Sequence, residues 1–347
     1  MSIITFVGAG QMASALSFPA TENGHEVRLV GTHLDRDIID SAELTGFHPT
    51  LKRQLPKEGI KYYQLEDVEL ALDGTNAVLC GVSSFGVDWF CETILPLIPD
   101  SVPLLSVTKG MIDLEDGSMI TYPDYFLSKL PAGKKLSINA IGGPCTSYEL
   151  ADKDHSAVAF CGTDMEILRR FKKLFSTDYY HISLSTDVVG VECAVALKNA
   201  YALGVSLAIG LALGPDDTGK EHYNSQAALF GQSIKEMKQL LAIVNGGEEN
   251  IIYGAGDLYV TIFGGRTRKI GTLLGRGISF KKAIAELEGV TLESIVIATR
   301  TARYVQRLAE RGSIKLKDFP LLMHVDDIIN HGAAVAIPWA DFETEKY

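Results

Sequence analysis

Blocks of apolar and polar residues alternate along the first half of the chain. Ile3-Ile4-Thr5-Phe6-Val7 is a continuous β-branched and aromatic run, the pattern of a strand buried on both faces. It stops at Gly8, and Met12-Ala13-Ser14-Ala15-Leu16 opens a helix. Asn23-Gly24 then marks a turn before a second strand, Glu26–Val30. Further strands are predicted at Ala77–Cys80, 103–107, 136–141 and 157–161. Strands separated by helical stretches over this length predict βαβ units and a doubly wound, mostly parallel sheet, an α/β class.

Near Asp187 the strand signals fade. Phe230, Ile234, Met237, Leu241 and Val244 recur at helical spacing, as do Ile295, Ala298, Ala302, Val305 and Ala309. Ser279 and Asp318 stand where N-caps belong, and Gly332 where a last helix stops. An all-helical C-terminal domain is predicted, with the division at 187/188: residues 1–187, then 188–347. The most apolar stretch, 188–213, contains Glu192, Lys198 and Asn199, so it reads as a buried core helix rather than a membrane span.

Composition narrows the function classes. At 347 residues the chain exceeds one comfortable core, and 46% hydrophobic with 22% charged residues is the balance of a globular enzyme. A net charge of -11 argues against a nucleic-acid surface, because phosphate neutralisation needs a basic excess. The five cysteines are widely spaced with no C-x-x-C pair, which predicts reduced thiols and no structural zinc. The acidic and histidine-bearing loop 214–224 reads as a polar surface loop, so no metal is expected. The N-terminus lacks a basic segment ahead of an apolar run, and a cytoplasmic protein without a membrane partner is expected.

Candidate chemistry begins at Gly8-x-Gly10-x-x-Ala13, between a strand and a helix. Gly8 permits a tight turn, Gly10 lets backbone approach a pyrophosphate, and Ala13 keeps the helix close to the sheet, with helix N–H groups facing the phosphates. The second strand ends in Leu29-Val30-Gly31-Thr32-His33-Leu34-Asp35-Arg36, with no carboxylate at its end to take ribose hydroxyls. His33 or Arg36 would meet a 2′-phosphate, or Arg36 is simply solvated, and NAD and NADP both stay open. Lys198 lies in the apolar helix, where an isolated ammonium is costly. It is either a general base or a lysine that snorkels or pairs with Glu192. Lys109 follows an apolar strand, at the edge where open α/β sheets bind ligands, or is a loop lysine in solvent. Asp257 follows Gly254-Ala255-Gly256, read as a flexible turn, and either meets Lys198 or caps a helix. Gly264-Gly265-Arg266-Thr267-Arg268-Lys269 is a basic turn suited to a phosphate monoester, with a solvated charge cluster as the other reading.

Four segments, in order, resemble the NAD(P)-dependent glycerol-3-phosphate dehydrogenase family: Thr108-Lys109-Gly110, Gly142-Gly143-Pro144, Gly190-Val191-Glu192 through Ala196-Leu197-Lys198-Asn199, and Gly256-Asp257-Leu258 through Arg266-Thr267-Arg268. With the glycine turn and Glu288-Gly289, the resemblance spans nearly the whole chain. It implies a Rossmann-type cofactor domain followed by a helical substrate domain, with hydride transfer between NAD or NADP and a polyol phosphate. It implies Lys198, Asp257 and Lys109 as catalytic residues. Lys109, Gly143, Asn199, Thr261, Arg266 and Thr267 would hold the phosphorylated substrate. Gly8, Gly10, Gln11, Met12, Ala13, Thr32, Lys109, Ser147, Arg266 and Glu288 would hold the cofactor. A homodimer is the family expectation.

Three departures stand out. Thr267 replaces the family's asparagine, Cys145-Thr146-Ser147 follows Gly143-Pro144, and the 214–224 loop is longer, with Gln226 where the family has a basic residue. Such a loop suits a different polyol or ketose phosphate, so the departures count against glycerol 3-phosphate itself, and the substrate is read as glycerol 3-phosphate or a related longer polyol phosphate. The competing readings are a 2-hydroxy-acid or ketopantoate-type reductase and a non-catalytic dinucleotide sensor. Neither explains both Lys198 in an apolar helix and the segment from Asp257 to Arg266.

Overall fold

The structure is a computed structural model that describes residues 1–114, 118–287 and 292–343. The chain divides into two compact units, residues 1–109 with 121–192, and residues 110–120 with 193–347.

Unit 1 is built on β1 (Ile3–Val7), α1 (Gln11–Glu22), β2 (Glu26–Val30) and α2 (Arg36–Thr45), then a short hairpin of β3 (Phe47–His48) and β4 (Arg53–Gln54). There follow β5 (Ile60–Tyr63), α3 (Val68–Leu72), β6 (Ala77–Cys80), α4 (Val87–Thr93) and β7 (Leu104–Ser106). After the paired strands β8 (Met111–Asp113) and β9 (Met119–Thr121) come α5 (Tyr122–Ser128), β10 (Ile138–Gly142), α6 (Ser147–Ala151), β11 (Ser156–Gly162), α7 (Met165–Phe175) and β12 (Tyr180–Ser185). Eight of these strands form one sheet in the order β12-β11-β10-β7-β6-β1-β2-β5. Every pairing is parallel except β10 with β11. The chain runs outward from β1 through β2 to β5 and then crosses back to β6. The strand order therefore reverses between β1 and β6, where doubly wound sheets open a ligand crevice at their carboxyl ends. Ile4, Phe6, Leu29, Leu79, Leu105 and Phe160 are fully buried strand residues, in one apolar cluster with Phe171 and Phe175 of α7.

The predicted strands are present: β1, β2 and β6 with the expected bounds, and β7, β10 and β11 shifted by a residue or two at their ends. β5, the 47–54 hairpin, β8, β9 and β12 are not among the strands expected from the pattern. The hairpin strands hold two residues each, too few to show a period, and β5 is a partly exposed edge strand.

Unit 2 is helical: the larger part of α8 (Val188–Leu213), then α9 (Tyr223–Ile243), α10 (Ile251–Ile262), α11 (Gly265–Gly275), α12 (Phe280–Glu286), α13 (Glu293–Glu310) and α14 (Pro320–Asn330). Helix α8 is long and apolar enough to cross a membrane, but 83% of its most apolar window is buried inside the protein. Ala194, Leu197, Tyr201, Val205 and Ala208 make it the core helix that its all-round apolarity predicts. Asp113 of β8 is held by Arg300 and Arg303 of α13.

Ser279 does precede α12, and Gly332 follows α14 with φ +68°. Asp318 is not an N-cap. The α14 cap position is Phe319, Pro320 opens the helix, and the acceptor comes from elsewhere. Buried Glu236 of α9 receives the Leu321 and Leu322 N–H groups at 2.8 and 3.0 Å, so a local acidic cap has no donor left to serve.

Candidate active site

In unit 1 the glycine turn closes β1 onto α1. Gly8 has φ +104°, and a Cβ there would lie 2.9 Å from the carbonyl carbon of Gly81. Ala13 occupies the tight space beneath, since a Cβ on Gly81 would come within 2.5 Å of its methyl. The first turn of α1 therefore sits directly on the end of β6. Gly10 is its N-cap and no side chain caps it, which suits an anion at those N–H groups.

Several predicted cofactor residues meet around this turn. Ser147, at the start of α6, donates to Gln11 Oε1 at 3.2 Å, and Gln11 Nε2 donates to the Thr50 carbonyl at 3.0 Å. Met12 is half-buried beside them. Lys109, three residues past β7, donates to the Gly143 carbonyl at 2.8 Å. Thr32 donates through Oγ1 to Asp35 Oδ2 at 2.7 Å. Glu288 lies outside the described residues.

One sequence expectation is corrected here. No carboxylate stands at the end of β2 in the sequence, yet the 32–35 turn folds Asp35 back to it. Asp35 Oδ2 accepts from Thr32 N at 2.9 Å and from Ala9 N at 3.1 Å. The cations expected to meet a 2′-phosphate have protein neighbours. Arg36 pairs with Glu66, and the His33 ring stands edge-on to Trp89 at 5.5 Å.

Glu192, at the start of α8, was missed as a titrating group. It is fully buried, and neither carboxyl oxygen has a hydrogen-bond partner among the described residues. Burial pushes its pKa up to about 8, against the lowering field of Lys109 and with the raising field of Asp124. Its signal in the sequence was a carboxylate one turn inside the most apolar helix. Between the ordinary value of 4.5 and about 8, the folded protein binds a proton that the unfolded chain releases. Stability therefore falls as pH rises through that window and levels above it. Glu192→Gln should remove this slope and gain on the order of a few kcal/mol over the wild type above pH 8. Urea midpoints measured across the window check it; parallel curves for the two proteins would refute the assignment.

In unit 2, Lys198 Nζ lies 2.5 Å from Asp257 Oδ1, with the Lys198 side chain 15% and the Asp257 side chain 1% exposed. Lys198 thus pairs with Asp257, not with Glu192, the partner that spacing along the helix offered. Asp257 does not follow a flexible turn and is not the N-cap of α10: Gly254-Ala255-Gly256 lies inside that helix, whose cap position is Asn250. The glycine at 254 serves close approach instead. A Cβ there would lie 2.5 Å from the Ala194 carbonyl oxygen of α8. Lys198 is one turn beyond Ala194 and Asp257 nearly one turn beyond Gly254, so this backbone contact sets the separation of the pair.

Thr261 Oγ1 donates to the Asp257 carbonyl at 2.6 Å, which leaves its oxygen as an acceptor. Asn199 is half-buried, next to Lys198. The predicted basic turn is a bend at Gly264 followed directly by α11, with Arg266 exposed and Thr267 buried in its first turn. Arg266 makes no hydrogen bond or ion pair among the described residues. Arg268 is engaged: it pairs with Glu221 and donates to the Ile262 carbonyl at 2.8 Å. The 214–222 connection is also tied to α11 through Arg276, which meets Asp217 at 3.4 Å and the Pro215 carbonyl at 3.0 Å.

A Rossmann-type unit with an uncapped glycine turn, in one chain with a helical unit holding a buried lysine–carboxylate pair, defines a nicotinamide-dependent dehydrogenase. Residues 3–168 match the pattern of the NAD-dependent glycerol-3-phosphate dehydrogenase N-terminus, and residues 187–338 that of its C-terminus. The chain belongs to this family. It is 34% identical over 313 residues to the NADP(+)-dependent glycerol-3-phosphate dehydrogenase of Archaeoglobus fulgidus, covering 89% of this chain and 90% of that one. It is 28% identical over 338 residues to the glycerol-3-phosphate dehydrogenase [NAD(P)+] of Desulfotalea psychrophila, covering 95% and 93%. Its fold superposes on that of Plasmodium falciparum glycerol-3-phosphate dehydrogenase with a TM-score of 0.83 at 20% identity, over 100% of this chain and 96% of the other. The protein is an oxidoreductase that uses NAD or NADP on a CH–OH group, and the reductase and sensor readings are set aside.

Proposed function

We propose that the chain interconverts sn-glycerol 3-phosphate and dihydroxyacetone phosphate. The observation that carries this reading is the Lys198–Asp257 pair, with Asp257 almost wholly buried. The glycine turn would hold the dinucleotide through its pyrophosphate, and the nicotinamide would supply the hydride acceptor in oxidation and the donor in reduction. In reduction the Lys198 ammonium, oriented by Asp257, gives a proton to the carbonyl oxygen. In oxidation the same nitrogen receives the hydroxyl proton while hydride leaves the carbon. Lys109 polarises the carbonyl, with Gly143 and Asn199 as further substrate contacts. Arg266, with Thr267 and Thr261 near it in sequence, holds the phosphate remote from the reacting carbon, so its binding energy orients the substrate.

The cofactor role falls to Gly8, Gly10, Gln11, Met12, Ala13, Thr32, Lys109, Ser147, Arg266 and Glu288. Residues 1–187 act as the dinucleotide domain and 188–347 as the substrate domain. The protein works in the cytoplasm, in carbohydrate metabolism, as a homodimer. Arg266 is exposed and engages no partner among the described residues, whereas Glu221 already occupies Arg268, and so Arg266 is the one assigned to phosphate. Arg266→Ala should raise KM for dihydroxyacetone phosphate by about 100-fold, the loss of a charge-assisted contact worth roughly 2–3 kcal/mol. Steady-state kinetics check it, and an unchanged KM would remove the anchoring role.

A further inference from the structure

The middle residue of the glycine turn is held at both ends of its backbone by side chains. The Ala9 N–H donates to Asp35 Oδ2 at 3.1 Å, and the Ala9 carbonyl lies 2.9 Å from His48 Nε2. The tautomer follows from a third contact: Leu51 N donates to His48 Nδ1 at 3.1 Å. Nδ1 is thereby an acceptor, and the ring proton sits on Nε2, aimed at Ala9. His48 and Ala9 are both fully buried. Asp35 is fixed in turn by Thr32 N and Thr32 Oγ1, at 2.9 and 2.7 Å. His48 belongs to the 47–54 hairpin, which has no part in the reaction described above.

We propose that Asp35 and His48 form a clamp on the Ala9 peptide and are positioning residues for dinucleotide binding. The inference rests on the glycine turn being the dinucleotide site. A turn with glycine on either side of Ala9 has wide backbone freedom, and a cofactor that had to order it would lose affinity in doing so. The clamp sets the turn before the cofactor arrives. It is also proton-sensitive. Burial pushes the His48 imidazole below its ordinary value, and Asp35, the charged group acting on the ring among the described residues, opposes this more weakly. Near neutrality the ring is uncharged and the clamp closed. Protonation in acid would put an N–H at Nδ1 against the Leu51 N–H, so the Leu51 contact would be lost while Nε2 still donates to the Ala9 carbonyl.

Calorimetric titration with NAD+ and NADP+ tests the clamp, together with amide hydrogen exchange of residues 8–13 in cofactor-free protein. His48→Phe should weaken the dinucleotide that the wild type binds by about 10-fold and speed exchange at Ala9 and Gly10. His48→Gln, which keeps an N–H for the Ala9 carbonyl, should recover most of the affinity. A His48→Phe protein that binds within twofold of the wild type, with unchanged exchange, overturns the clamp. A wild type that binds neither dinucleotide overturns the reading of the turn itself. If His48→Phe does not fold, Asp35→Ala, which removes the acceptor of the Ala9 N–H, decides the matter by the same two measurements. The clamp requires weaker dinucleotide binding and faster exchange at Ala9 in that variant; wild-type values for both contradict it.

Discussion

Lys198→Arg should lower kcat by three orders of magnitude or more, while dinucleotide affinity stays within about twofold of the wild type. Arginine keeps a positive charge beside Asp257, so the pair and its contribution to stability largely survive. What it lacks is a proton it can give up and recover, because the guanidinium stays charged. Lys198→Met isolates the opposite component. It removes the proton carrier and also leaves a carboxylate that is 1% exposed without its cation, at a cost of roughly 3–5 kcal/mol. Both variants should be inactive, and only the methionine one markedly less stable. Turnover by Lys198→Arg at more than a tenth of the wild-type rate would show that residue 198 supplies charge rather than a proton.

Gly254→Ala should cut kcat by about 100-fold although residue 254 carries no chemistry. The added methyl would lie 2.5 Å from the Ala194 carbonyl oxygen and 2.8 Å from Met237 Cε. The methionine end can move; the backbone of α8 cannot without the rest of the helix. Helix α10 must shift outward and carry Asp257 away from Lys198. Overpacking costs about 1–3 kcal/mol, against about 1 kcal/mol that alanine gains over glycine within a helix. Gly231→Ala in α9 is the control, since a Cβ there meets nothing within 4 Å. It should raise the thermal midpoint and leave kcat unchanged. Loss of activity in Gly254→Ala equal to that of the control would mean the pair does not depend on the close approach of α10 and α8.

How far the sequence could be read follows from what each signal depends on. The central strands, the apolar helix and the glycine turn were legible because their patterns are local: a continuous β-branched run, an uninterrupted apolar stretch, two glycines between a strand and a helix. The edge strand Ile60–Tyr63 was not, because partial exposure blurs its alternation. Lys198 and Asp257 were named through the family resemblance, and their environment was partly misread. Gly254 looked like a breaker when glycine inside a helix has a second use, letting another backbone come close. Asp35 was overlooked because the 32–35 turn reverses direction, and a carboxylate five positions past the strand returns to its end. Asp318 failed as a cap because the acceptor at α14 comes from Glu236, more than eighty positions away. In each case the deciding contact lies outside the window in which a sequence pattern can be seen.

The central claim is hydride transfer to a small ketose phosphate with Lys198 as proton carrier. Its most direct measurement is the loss of reduced nicotinamide absorbance with NADH and NADPH against dihydroxyacetone phosphate, free dihydroxyacetone, longer ketose phosphates and 2-keto acids. The account predicts that dihydroxyacetone phosphate has the highest kcat/KM, that removing its phosphate lowers this at least about 100-fold, and that 2-keto acids are inert. A higher kcat/KM for a longer ketose phosphate would move the substrate assignment toward the 214–224 loop. Equal activity on dihydroxyacetone with and without its phosphate would contradict the account.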